Sequence, residues 1–353
     1  MNEDSTGEWI TCPIPISDQG ERIALAFGEG GRLSRRLIRE RILPRFANDQ
    51  LRLLGDSALL APSTRQLAFS TDSYTVTPLF FPGGDIGHLA VFGTANDLAV
   101  SGAIPKWLSL SLIIEEGLSW SVLDRVLDSI QMAALRAQVA IVTGDTKVVP
   151  RGAADKLFIT TSGVGEVLAP PPAGPAALQP GDNLIVSGPI GRHGAAILCA
   201  REHFDFVPPP ESDCAPLIAP LAALQAARIT PRAVRDATRG GVAAVLHEWA
   251  EAAGLTCVVD EATIPMDSCV RAVCELLGLD PLHLANEGTF VLATSPDLVG
   301  PTLAALQQHD VARRATVIGR MTSRRIAPVA VIRGLGREVA LDEPSGAPLP
   351  RIC

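Results

Sequence analysis

Apolar positions recur at helical spacing over residues 121–137, where Val122, Leu123, Val126, Leu127, Ile130 and Ala134 share one face. Shorter runs predict strands at 66–71, 108–114 and 139–143, the last ending on Gly144-Asp145-Thr146-Lys147. A glycine-punctuated helical stretch covers 85–101. Residues 169–181 then bring together Pro170, Pro171, Pro172, Gly174, Pro175, Pro180 and Gly181, which can continue neither a helix nor a central strand. Beyond this linker, strands at 183–187, 257–259 and 289–294 alternate with a helix at 242–253 closed by Gly254 and a helix capped by Asp267 that ends at Gly278. The alternation on both sides predicts an α/β fold of two layered domains, at 45–168 and 182–341, after an N-terminal segment at 1–44. The last stretch, 342–353, carries Pro344, Gly346, Pro348 and Pro350 and reads as a flexible tail.

Length and charge narrow the function. A chain of 353 residues exceeds what one core usually supports (~250–300 residues), which agrees with two domains. The net charge of −8, with no basic cluster to offset it, excludes nucleic acid as an expected partner. No apolar run reaches the ~20 residues that cross a bilayer, and residues 1–6 lack the basic and apolar regions of a leader, so the expected place is the cytoplasm. Seven scattered cysteines without a CxxC pair indicate neither a disulfide framework nor a structural zinc site. The last of them, Cys353, is the final residue.

Candidate chemistry lies in aspartates and glycine turns. Asp56, Asp72, Asp97, Asp145 and Asp236 fall where strands end or turns begin. Each alone reads as a turn or cap residue, but as a set they suit Mg²⁺, which takes a few carboxylates together with phosphate oxygens. Three glycine turns precede helical patterns: Gly28-Glu29-Gly30-Gly31, Gly83-Gly84-Asp85-Ile86-Gly87 and Arg239-Gly240-Gly241. Such turns let backbone N–H groups approach phosphate, although none has the lysine signature of a P-loop. Lys147 and Arg151 either neutralise phosphate charge or sit in a solvated loop.

Together these segments resemble one family. The matching residues are Thr71-Asp72-Ser73-Tyr74, the run from Phe80-Phe81-Pro82 to Gly87, Gly93-Thr94-Ala95-Asn96-Asp97, Gly144-Asp145-Thr146-Lys147 through Arg151-Gly152, Asp236-Ala237-Thr238-Arg239-Gly240-Gly241, Leu284-Ala285-Asn286-Glu287-Gly288 and the closing Pro350-Arg351-Ile352-Cys353. They are similar to the HypE family of hydrogenase-maturation carbamoyl dehydratases, within the aminoimidazole ribonucleotide synthetase-like superfamily. The resemblance implies a fold of the aminoimidazole ribonucleotide synthetase type and a homodimer. It implies ATP and Mg²⁺ as cofactors, a HypF-like carbamoyltransferase and a HypC–HypD-like iron scaffold as partners, and dehydration of an S-carboxamide on Cys353 to S-cyanate.

Site residues follow from the same match. Cys353 carries the substrate, Glu287 is the base and Lys147 assists phosphoryl transfer. Gly28, Gly30, Gly31, Asp72, Asp97, Gly144, Asp145, Arg151, Arg239 and Gly240 contact the nucleotide, and Asp56, Asp72, Asp97, Asp145 and Asp236 the metal. The α-carboxylate is expected to raise the Cys353 thiol pKa and Arg351 to lower it. A tail of 12 residues would span roughly 35 Å when extended, enough for an inward and an outward pose. His193 is open to a substrate or a structural role, and Cys12 is a minor reactive candidate. Phe27 and His88 depart from the family pattern, which has histidine and lysine there, and Thr289 stands where lysine is common. The other readings are a small-molecule kinase or synthetase of the superfamily and a non-catalytic ATP-binding scaffold.

Overall fold

The computed structural model describes residues 21–27, 31–49, 51–53, 65–167, 170–344 and 351–353. Before the linker, helices α1 (Gly31–Leu37) and α2 (Leu43–Phe46) lead to strand β1 (Leu67–Tyr74) and the short ribbon β2 (Phe80–Phe81) and β3 (Gly84–Asp85). Helix α3 (Ile86–Val100), β4 (Ala103–Glu115), α4 (Trp120–Ala137), β5 (Ala140–Val149) and β6 (Leu157–Val167) complete this half. Its sheet has the order β1-β6-β4-β5, with β4 parallel to β5 and all other pairs antiparallel. A parallel pair needs a crossover, and α4 supplies it. Ser119 starts α4 by accepting from the Val122 amide, and Gln138 ends it in the left-handed conformation. Helix α3 is buried almost all round because it packs on β1, β4, β6 and α4 and, across the molecule, on elements of the second half.

That second half contains β7 (Asn183–Val186), α5 (Arg192–Glu202), α6 (Ile218–Ala226), β8 (Ala233–Asp236), α7 (Gly241–Ala253) and β9 (Thr256–Asp260). It continues with α8 (Ser268–Leu277), β10 (Phe290–Thr294), α9 (Val299–Leu306), β11 (Thr316–Thr322), β12 (Val329–Arg333) and β13 (Arg337–Ala340). The sheet order is β13-β12-β9-β11-β7-β10-β8, antiparallel except between β9 and β12. One face packs against α7 and the other against α6 and α9, so β10 is buried at every position. Layered helices and sheets on both sides of the linker match the predicted fold class.

Three expectations need correction. The strand predicted at 139–143 does not stop at a phosphate loop but runs on to Val149, so Gly144, Asp145 and Lys147 are strand residues. Gly144 lies opposite Leu110 on β4, and a Cβ there would come within 2.0 Å of the Leu110 carbonyl oxygen. Close strand approach therefore accounts for this glycine. Gly144→Ala is expected to lower stability by about 1–3 kcal/mol, measured as a shifted urea midpoint. Secondly, the Asp267 side chain makes no capping bond to α8 and instead pairs with Arg192 at 3.2 Å and Arg314 at 2.6 Å. Finally, the tail is anchored at its tip, with Ile352 only 5% exposed and packed into the core of the first half.

Candidate active site

The cleft between the two halves holds a cavity of about 580 Å³ lined by Asp72, Tyr74, Asp97, Asp236, Arg239, Glu287 and Cys353. Strand parity sets its first wall. On β1, Asp72 is paired with Thr161, whose hydroxyl donates to the Ala90 carbonyl of α3, so this row faces the helix. Asp97 projects from α3, where Ser70 Oγ donates to its Oδ2 at 2.7 Å. Asp236 ends β8 and is buried. Burial, then the charge of Asp97, pushes the Asp72 carboxyl up to about 6 and that of Asp236 up to about 7. Arg239 opposes the shift at Asp72, so the wall is crowded with carboxylates and short of positive charge.

Such a donor set suits a hard cation, yet no group of three or more His, Cys, Asp or Glu among the described residues could hold a metal ion unaided. Mg²⁺ normally takes only one or two protein carboxylates and completes its shell with phosphate oxygens and water. Any two of Asp72, Asp97 and Asp236 would supply that number.

Glu287 forms the second wall, on a turn fixed from both sides. The Asn286 side chain accepts from the Gly191 amide at 2.7 Å and donates to the Ala237 carbonyl at 2.8 Å. Asp213 accepts from the Glu287 and Gly288 amides, each at 3.0 Å, and from Thr289 Oγ1 at 2.8 Å. A Cβ on Gly288 would lie 1.8 Å from the Asp213 carbonyl oxygen, so only glycine fits. Held this way, Glu287 is 4% exposed. Burial first, then Asp213, Asp236, Asp72 and Asp97, hold its carboxyl well above the usual range, which favours the protonated form. The surface-loop reading does not hold.

Cys353 closes the cavity. Its thiol is pushed up to about 12 by burial first and Glu287 next, while Arg239 opposes. This corrects the expected roles of Arg351 and the α-carboxylate, because Arg351 turns away to Asp155 at 2.9 Å and to the Thr75 carbonyl. A thiol held neutral is a poor nucleophile, so the docked pose leaves this sulfur unreactive. His193 has a defined contact: its Nε2 meets the Ile352 carbonyl at 2.8 Å and its Nδ1 meets Ser212 Oγ at 2.8 Å. Burial lowers its pKa, so the neutral ring donates from Nε2 to the carbonyl and accepts at Nδ1 from the Ser212 hydroxyl.

Several expected residues lie elsewhere. Asp145 sits in the row Ser73–Thr160–Ser111–Asp145, on the sheet face away from α3, so within one chain the sheet separates it from Asp72. Lys147 pairs with Asp145 at 3.7 Å on that open face. The expected fivefold aspartate cluster and the placement of Lys147 beside it are thus not formed by a single chain. Arg151 lines a separate cavity of about 560 Å³ with Arg22, Glu115, Glu116 and Lys156. Gly31 begins α1, and Gly240 caps α7 without lining the aspartate cavity. Gly28, Gly30, Asp56 and Cys12 lie outside the described residues. Phe27 stacks edge-on against Trp120, and His88 lies beside Asp85 and Phe92, so neither departure from the family pattern touches the cavity. Asp213, Ser212, Arg201 and Asp155 were not foreseen; the only local signal was a polar pair, Ser212-Asp213, between prolines of an irregular loop.

Comparison with known proteins agrees with this geometry. The families described as AIR synthase related protein, N-terminal domain, and AIR synthase related protein, C-terminal domain, match residues 54–167 and 179–331. Carbamoyl dehydratase HypE of Escherichia coli (strain K12) is 48% identical over 340 residues, covering 94% of this chain and 99% of that protein. A crystal structure of hydrogenase maturation protein HypE in complex with ATP superposes with a TM-score of 0.90 at 43% identity, covering 94% of this chain and 99% of that one. A crystal structure of a HypE–HypF complex superposes with a TM-score of 0.76 at 39% identity, covering 87% of this chain and 99% of that one. With this topology, this cavity and relatives of this identity along nearly its whole length, the chain belongs to the HypE family of carbamoyl dehydratases.

Proposed function

We propose that the chain converts a carboxamide carried on its own Cys353 sulfur into a thiocyanate, using ATP, and so supplies cyanide ligands for the iron of a [NiFe]-hydrogenase. One observation carries this reading: the C-terminal sulfur opens into the same cavity as Glu287 and three aspartates. Oxide is a poor leaving group, so the carboxamide oxygen first attacks the ATP γ-phosphorus, releasing ADP, while the nitrogen gives up one proton to water. The ionised fraction of Glu287 then takes the remaining N–H proton as the C–O bond breaks, leaving S–C≡N and inorganic phosphate. Two of Asp72, Asp97 and Asp236 would hold Mg²⁺, which would neutralise charge on the phosphoryl group. Arg239, on the rim of the same cavity, supplies positive charge near Cys353.

The poor nucleophilicity of the docked thiol supports loading in an outward pose by a HypF-like carbamoyltransferase, with a HypC–HypD-like scaffold collecting the cyano group. A free terminal thiol suits a reducing cytoplasm, and no described helix is long and apolar enough to cross a membrane. The open sheet face supports a homodimer, since it exposes Leu67, Ile113 and Phe69, the last at 70%. A two-fold axis along the strands would lay β5 of one copy over β1 of the other, where Phe69 and Ser73 reach the cavity. Lys147 of the partner subunit would then approach the nucleotide. Phe69→Glu is expected to convert the dimer to monomer in light scattering; an unchanged mass would reject that face.

The deciding experiment is mass spectrometry of carbamoylated protein before and after ATP and Mg²⁺. Loss of one water from the C-terminal peptide is expected, and ATP hydrolysis with no mass change would overturn the reading.

A further inference from the structure

The last three residues are bound by sequence, not merely tethered. The Thr75 amide donates to the Cys353 main-chain oxygen at 2.9 Å, continuing the line of β1. His193 Nε2 donates to the Ile352 carbonyl at 2.8 Å, and Arg201 Nη2 to the Arg351 carbonyl at 2.8 Å. Each carbonyl of the tripeptide thus has its own donor on the body of the protein. The side chains are read as well. Arg351 spans the Thr75 carbonyl, Asp155 and, at 5.6 Å, the ring of Phe158. Ile352 sits in the core of the first half, beside elements that also contact Cys353.

These contacts come from both halves of the fold. Thr75, Asp155 and Phe158 belong to the first, and His193 and Arg201 to α5 of the second. Their ring and main-chain partners are held independently of the tail: Ser212 sets the His193 ring, and Arg201 also donates to the Thr77 carbonyl. Partners set independently of the tail favour a pocket formed before the tail enters it.

We propose that this surface is a peptide receptor for a carboxy-terminal Arg-Ile-Cys sequence, able to bind that sequence in trans, from a free peptide or the tail of a second copy, as well as from its own chain. The inference deepens the reading of Cys353 as the substrate carrier, since it makes the substrate a recognised peptide. Ile352 dominates recognition because its burial is worth more than an exposed ion pair. Attachment gives the chain's own tail an effective concentration on the order of millimolar, so a free peptide competes only in that range.

The test needs neither ATP nor carbamoylation, and its failure is therefore separable from failure of the dehydration reading. The intact protein is labelled with a maleimide and the C-terminal peptide followed by mass spectrometry. Cys353 is expected to react at least ~10-fold more slowly than the same cysteine in a free peptide of residues 345–353, because burial protects it. Adding the unlabelled peptide with Cys353→Ser in the millimolar range should speed labelling severalfold, whereas the same peptide with Arg351→Ala and Ile352→Ala should not. In the protein itself, Ile352→Ala should speed labelling about tenfold and Arg351→Ala only a few-fold. A dye-labelled peptide should bind the Ile352→Ala protein more tightly than the unaltered one, whose own tail competes. Equal labelling of protein and free peptide, or a competitor peptide that acts regardless of its Arg-Ile pair, would overturn the receptor.

Discussion

Glu287→Gln slows thiocyanate formation about 1,000-fold and leaves ATP bound with unchanged affinity. The exchange keeps the shape of the side chain and removes its capacity to accept a proton. The turn that aims position 287 is built from main-chain donors to Asp213 and from Asn286, none of which the substitution touches. Burial and four neighbouring aspartates already disfavour the ionised carboxyl, so the exchange takes little charge from the fold. The measurement is single-turnover quench of protein carbamoylated at Cys353, with ATP binding followed by calorimetry. A rate within a few-fold of the unaltered protein would remove Glu287 from the chemistry. The pH dependence carries the same argument. A base must be ionised to act, and a raised pKa reduces the carboxylate fraction at any given pH. The unaltered rate should therefore climb as pH rises and fall as pH is lowered, while the Gln variant loses the part of that slope carried by Glu287 and keeps the part carried by Asp72 and Asp236.

What was legible in the sequence depended on whether a feature is settled locally. Gly254 and Gly278 end α7 and α8 in the left-handed conformation, as their positions after apolar runs predicted. Asp85 likewise starts α3 by accepting from the amides of Gly87 and His88, at 2.9 and 3.0 Å. The end of β5 was not legible, because pairing with β4 carries the strand past Gly144 into a stretch that reads as a loop. The face of each aspartate was hidden for a related reason. Side chains alternate along a strand, and only the partner row shows that Asp72 faces α3 while Asp145 faces away. Motif matching groups the two; geometry in one chain separates them. Asp213, Arg201 and Asp155 escaped notice because their partners lie more than 70 residues away in sequence, and beyond the Ser212-Asp213 pair no local pattern marks them.

Cys353→Ser abolishes product entirely, although the protein folds and binds ATP as before. The side chain differs by one atom, and the main-chain bonds from Thr75 to residue 353 and from His193 to Ile352 do not involve the sulfur. The loss is chemical. Carbamoylation needs a nucleophile that ionises when the tail is free in water, which an unperturbed thiol does near neutral pH and a serine hydroxyl does not. This variant also separates the family's self-modifying chemistry from that of a kinase acting on a free small molecule. A kinase would keep its ATP turnover with serine at the terminus. The assay is phosphate release with the carbamoyl-donating partner present and absent. Partner-dependent phosphate release from the Cys353→Ser protein, at the rate of the unaltered chain, would mean that the cavity serves a substrate other than its own tail.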